Sequence, residues 1–222
     1  MRLVIFDLDG TLIDSEALIV RTVGDAFRAV NEPVPSDAAI RSISGITARD
    51  AMAMLAPSAS PDRIEEIVSS YRDTYLGRAG TQAEPLFEGA LAALDRLQAQ
   101  PETIVAVATG KSYRGAITLL ERHGILGRFN SIQTPDHNRG KPDPQMLETA
   151  MAKAGIGREA SVMIGDTVHD MRMARAGGVN AIGVAWGYHE TSELKAAGAD
   201  VVIESFSELD GAIDQLLGAT HA

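Results

Sequence analysis

The apolar positions follow two different periods, and the change between them divides the chain. Leu3 to Phe6 is an unbroken apolar run of strand length that stops at two carboxylates, Asp7 and Asp9. From Leu18 the spacing becomes helical: Leu18, Ile19, Val23, Phe27 and Val30 share a face until Asn31-Glu32-Pro33 ends the pattern. No strand-like run follows before about Glu84. That stretch reads as helix and turn, punctuated at Gly45, at Pro57 to Pro61 and from Gly77 to Gly80. Within it Met52, Met54 and Leu55 form one apolar group, and Ile64, Ile67, Val68, Tyr71 and Tyr75 form another. Both read as packing faces. Residues 15–84 are therefore expected to be an all-helical insert.

Past Pro85 an alternation of helix and strand resumes. Strands are expected at Thr103 to Ala108, Ser131 to Thr134, Val162 to Ile164, Ala181 to Val184 and Val201 to Ile203. Helices are expected from about Glu88 to Ala99, from about Arg114 to His123 and after Pro144. Strands that alternate with helices imply an α/β fold with a parallel sheet covered on both faces.

The candidate chemistry lies where these strands end. In open α/β sheets, sites collect at the carboxyl ends of strands, and Asp7 and Asp9 follow the first of them. Two buried aspartates there call for a cation or a proton to compensate them. Gly10 and Thr11 add a tight turn with free amides and a hydroxyl, suited to an anion. Thr109-Gly110-Lys111 follows the next strand; a hydroxyl and an unhindered glycine amide suit a phosphoryl oxygen, although such a pair also opens helices. Lys141, in the rigid run Arg139-Gly140-Lys141-Pro142-Asp143-Pro144, can pair with Asp7 and a substrate phosphate together. Asp166, after the strand ending at Ile164, is placed to complete an oxygen-rich magnesium site with Asp7 and the Asp9 backbone carbonyl. Asp170 lies one helical turn further on. It either serves that site, through a metal-bound water or by orienting Lys141, or simply favours a helix N-terminus. His169 reads as a bystander, because hard oxygen ligands suit magnesium better.

Composition narrows the partners. A net charge of −10 argues against a nucleic-acid backbone or an anionic membrane. The absence of cysteine rules out disulfides, thiolate zinc sites and a cysteine phosphatase, and fits a reducing compartment. Asp7 and Asp9 interrupt the first apolar run too soon for a signal peptide, and no segment approaches membrane-spanning length. A cytoplasmic protein acting on a small phosphorylated metabolite is the expectation, as a monomer or a homodimer.

Asp7-Leu8-Asp9-Gly10-Thr11 resembles the signature of the haloacid dehalogenase superfamily in its phosphatase branch; the dehalogenases lack the second aspartate. The runs at Thr109, Lys141 and Gly165-Asp166-Thr167-Val168-His169-Asp170 resemble the other three motifs, so the likeness covers essentially the whole chain. Gly110 departs from it, standing where relatives usually carry Asn. The resemblance implies a Rossmann-like core of residues 1–14 and 85–222, with residues 15–84 as a helical cap inserted after the first strand. It implies a magnesium-dependent phosphatase in which Asp7 forms an aspartyl-phosphate and Asp9 acts as acid and then base. Asp7, Asp9, Asp166 and Asp170 would serve the metal, and Thr109, Gly110 and Lys141 the phosphate. The segment Ser42 to Arg49 resembles the cap loop that reaches the site in relatives, which makes Arg49 a candidate for the leaving group or a second anionic end. Met171 to His189 is similar to phosphoglycolate phosphatases, so 2-phosphoglycolate is the first ester to consider. A sugar phosphomutase or an inorganic pyrophosphatase of the same family, and more distantly an aspartyl-phosphate signalling module, are the alternatives.

Overall fold

The computed structural model describes residues 1–78 and 84–218. Six strands form one parallel sheet: β1 (Arg2–Phe6), β2 (Thr103–Ala108), β3 (Ser131–Gln133), β4 (Ser161–Gly165), β5 (Asn180–Val184) and β6 (Val201–Ile203), in the order β3-β2-β1-β4-β5-β6. The sheet is α/β and Rossmann-like, as expected. Strand β1 is central, with Val4 beside Val105 on one side and Val162 on the other. Every residue of β1 is buried, because helices cover both faces. Alternation sends Val4 and Phe6 into one apolar cluster and Leu3 and Ile5 into the other. The strand order reverses at β1, so a crevice opens at the carboxyl ends of β1, β2 and β4. That crevice positions the site.

Four helices stand between β1 and Pro85: α1 (Glu16–Ala29), α2 (Asp37–Ser42), α3 (Ala48–Leu55) and α4 (Pro61–Arg78). The Ser36 and Thr47 side chains accept backbone N–H bonds at the starts of α2 and α3, which fixes where each begins. These helices close around an apolar cluster of their own, including Val23, Phe27, Ile40, Met52 and Ile67. Among the described residues, 16–78 contain no strand. Where the chain leaves and re-enters the sheet layer, the two connections run side by side. Asp14 N–H donates to the Pro85 carbonyl at 2.8 Å, and Phe87 N–H to that of Leu12 at 3.0 Å. The remaining helices are α5 (Ala90–Gln98), α6 (Tyr113–Arg122), α7 (Gln145–Ala154), α8 (Val168–Gly177), α9 (Thr191–Ala197) and α10 (Leu209–Leu217). None of the described helices is long and apolar enough to cross a membrane.

Three local expectations change. Gly77 does not punctuate, because α4 runs through it to Arg78; Gly80 lies outside the described residues. Met54 leaves the apolar group, 60% exposed while Met52 is 1% exposed, since two residues along a helix is half a turn and faces the opposite way. The fifth helix starts at Ala90 rather than Glu88, behind Gly89 at φ +83°.

Candidate active site

Asp7 leaves β1 directly into the crevice, and its main-chain N–H still donates to the Ile164 carbonyl of β4. The Asp7 side chain is 1% exposed, and Asp166 and Asp170 are fully buried. One oxygen from each of the three carboxylates falls within 4.8 Å of the others. The Lys141 ammonium, with no exposed side-chain surface, lies 2.6 Å from Asp7 Oδ2 and 2.6 Å from Asp170 Oδ1. One cation among three buried anions leaves a negative excess. Burial is the largest influence on Asp7; Lys141 offsets it in part, and Asp170 and Asp9 add repulsion, so its carboxyl is pushed up to about 7. Asp166 is also raised, by burial first and then by Asp170 and Asp7. Burial acts to lower the Lys141 pKa, but Asp170 and Asp7 outweigh it and hold the value above the ordinary lysine range.

This donor set fits a hard divalent cation. No well-aligned hydrogen bond reaches Asp7 Oδ2 or Asp170 Oδ1, whose charge partner is Lys141. Carboxylate oxygens without nitrogen or sulfur ligands are what magnesium takes. Asp9 does not share the cluster through its side chain.

Asp166 is held by its surroundings. The Thr11 hydroxyl donates to Oδ1 at 2.8 Å and the Tyr188 N–H to Oδ2 at 2.9 Å. Gly10, at φ +75°, and Gly187 pass so close that a Cβ on either would stand 2.1 Å from an Asp166 atom. Asp170 makes contacts of both kinds. Its Oδ2 accepts from the Thr167 N–H at 3.1 Å in a reciprocal cap of α8 and from the Thr167 hydroxyl at 2.6 Å, while its Oδ1 faces Lys141. His169 is half-buried, pairs edge-on with His189, and stands outside the acidic cluster.

Asp9 points to the side of the crevice where α1 begins. Its Oδ1 accepts from the Ser15 hydroxyl at 2.5 Å and meets the Lys111 ammonium at 2.9 Å. Lys111 also donates to the Tyr75 hydroxyl at 2.7 Å, and Tyr75 donates to Glu84 Oε1 at 2.7 Å. Burial opposes the charge on Lys111, yet Asp9 and its other neighbours raise its pKa well above the ordinary value. Thus Asp9 is tied to both connections between the helices and the sheet, through Ser15 and Glu84.

Thr109 is buried at the end of β2 and lines a cavity with Asp7, Asp9, Gly110 and Lys111. Gly110 has a steric reason to be glycine: a Cβ there would stand 2.6 Å from the Ile46 carbonyl and 2.8 Å from that of Gly45. The loop before α3 rests on two further points in the same way, Gly45 against Thr167 and Thr47 against Gly140. Arg49 is not brought to this site. It lies on the exposed face of α3, its side chain 61% accessible, and pairs with Glu65. Helical geometry decides this, since Ala48 lines the cavity and Arg49 is rotated about 100° from it.

Several residues at the site carry no distinctive signal in the sequence. Lys111 was visible beside Thr109 and Gly110, but nothing in the sequence showed that it faces Asp9. Tyr75 reads as a packing residue until its hydroxyl is placed. Ser15 marks a helix start, and Tyr188 and Trp186 a loop; the Trp186 indole N–H donates to the Thr11 carbonyl at 3.0 Å, bracing the turn after Asp9.

A family profile described as haloacid dehalogenase-like hydrolase matches residues 4–184. A relative from Dickeya dadantii, named probable phosphatase IndB, is 38% identical over 97% of this chain and 94% of its own length. A phosphoglycolate phosphatase from Vibrio cholerae is 30% identical over 94% of this chain and 95% of its own. Among solved structures, a hydrolase from Pseudomonas syringae is similar with a TM-score of 0.86 and 26% identity, over 97% of this chain and 99% of that one.

Proposed function

The chain belongs to the haloacid dehalogenase-like hydrolases, as a phosphatase of that family, and we propose that it hydrolyses a small phosphate monoester with Asp7 as nucleophile. One observation carries this reading: Asp7 stands at the reversal point of the sheet, buried, 2.6 Å from Lys141 and open to the cavity. In this reading residues 1–14 and 85–222 are the core that binds phosphate, and residues 15–84 are the cap that meets the alcohol. The proposal sets the protein in the cytoplasm.

The Asp7 carboxylate attacks phosphorus in line, forming a phosphorus–oxygen bond as the bond to the alcohol breaks. The leaving alkoxide takes the departing electron pair and a proton from the Asp9 carboxyl. Asp9, now a carboxylate, takes a proton from a water that attacks the aspartyl-phosphate, and phosphate leaves with Asp7 restored. Thr109, the Gly110 amide and Lys141 meet the equatorial oxygens. Asp170 holds Lys141 toward Asp7, and Lys111 with Ser15 holds Asp9 toward the cavity. Asp7, Asp166, Asp170 and the Asp9 carbonyl would hold magnesium, which when bound supplies the positive charge that lets a dianionic ester approach a carboxylate.

The test is phosphate release from a panel of esters with and without magnesium, including 2-phosphoglycolate, the ester named by several relatives, along with pyrophosphate and sugar phosphates. Magnesium-dependent release from a monoester supports the reading. Release from none of them overturns it, and isomerisation of a sugar phosphate without net release transfers the same site to a mutase.

A further inference from the structure

The cavity above Asp7 has a volume of about 320 Å³. That lies within the roughly 300–1,000 Å³ of sites that enclose a drug-sized ligand, and the two-carbon alcohol of 2-phosphoglycolate would fill little of it. Its floor is polar, made by Asp7, Asp9, Thr109 and Lys111. Its walls are mostly apolar, formed by Ile19, Val23, Ile43, Ile46, Met52 and Tyr71, with Ser44, Thr47, Ser112 and Asp136 as polar interruptions. Val23 and Met52 are each 1% exposed and belong to the cap's own apolar cluster, so the cavity reaches between the cap helices rather than skirting them.

The positions of the cations point the same way. Lys111 is engaged by Asp9 and Tyr75 at the floor. Arg49 is turned outward to Glu65. Arg72 and Arg114 line the cavity but are exposed, which puts them at its open side. Among the described residues that line the cavity, the cations are Lys111 at the floor and the exposed Arg72 and Arg114. Desolvating a carboxylate against Ile46 and Met52 is costly, whereas an apolar group there is stabilised by burial.

We infer that the alcohol of the ester carries an apolar body, aromatic or branched alkyl, seated against Ile46, Met52 and Tyr71, and that 2-phosphoglycolate is a poor substrate. This inference rests on the phosphatase reading for the ester and on the cavity for the alcohol.

The experiment separates the two. Steady-state kcat/KM is compared for benzyl phosphate and 2-phosphoglycolate, both monoesters of primary alcohols. Inhibition constants are compared in parallel for benzylphosphonate and phosphonoacetate, which bind without being hydrolysed. Benzyl phosphate is expected to be preferred by roughly tenfold or more, with the same order among the inhibitors. Ala51→Leu, which narrows the wall, should reduce that ratio. A higher kcat/KM for 2-phosphoglycolate, or tighter binding of phosphonoacetate, overturns the inference and leaves the phosphatase reading intact. Tight binding of benzylphosphonate with no ester hydrolysed keeps the apolar seat but overturns the phosphatase reading, and with it the inference about the ester's alcohol.

Discussion

The Lys111 ammonium lies 2.9 Å from Asp9 Oδ1, in a contact where the two side chains are only 8% and 14% exposed. A charge pair so shielded from water fixes the position of Asp9 far more firmly than a surface pair would. The Tyr75 ring lies under the ammonium at 4.2 Å, and the Tyr75 hydroxyl accepts from it, so α4 takes part in the pairing. Lys111→Met is expected to lower kcat about tenfold to a hundredfold, a portion of the roughly 10²–10⁴ that positioned acid–base groups contribute. Tyr75→Phe keeps the ring and the ion pair, and should cost less. Equal kcat for Lys111→Met and the parent protein would show that Asp9 needs no such partner.

Asp7→Asn removes the proposed nucleophile and leaves the shape nearly unchanged. Turnover should fall by roughly 10⁴-fold or more, and phosphate from a labelled ester should no longer be retained on acid-quenched protein. Normal turnover in this variant would end the covalent scheme.

The acidic cluster predicts a metal effect that can be read without any substrate. Magnesium at about 100 times its Kd should stabilise the fold by about 2.7 kcal/mol, or about 5–10 °C in Tm for a chain of this length. Asp166→Asn removes one of the three buried charges and should shrink that shift. Identical melting curves with magnesium and with a chelator would argue against the site.

Gly110 offers a test of how the loop before α3 is seated. Gly110→Asn would press a Cβ against the Ile46 and Gly45 carbonyls. Overpacking of this kind typically costs about 1–3 kcal/mol, so Gly110→Asn should lower Tm and raise KM as the loop shifts. A variant with unchanged Tm and KM would mean that the loop lifts freely.

The sheet was legible because its strands are short apolar runs that end in polar residues, and two-sided burial demands that pattern. The four helices α1 to α4 are legible as helices, but not by face: only a helix drawn in three dimensions separates the outward Met54 and Arg49 from their inward neighbours Met52 and Ala48. Lys111, Tyr75 and Ser15 were hidden for a related reason. Each is ordinary in its local context, and gains a role only from a contact with a residue distant in the chain.

The sequence by itself determined the strand ends, and with them where Asp7, Thr109 and Asp166 must emerge, because hydrogen bonding and burial act locally along each run. It also determined the charge problem, since three acidic residues at such ends need a cation. Tertiary structure decided how that problem is handled. Packing brought Lys141 between Asp7 and Asp170, set Lys111 on Asp9, turned Arg49 to solvent and lined the cavity with apolar side chains. Those outcomes depend on the angle and spacing between elements far apart in the chain, and no local period records them.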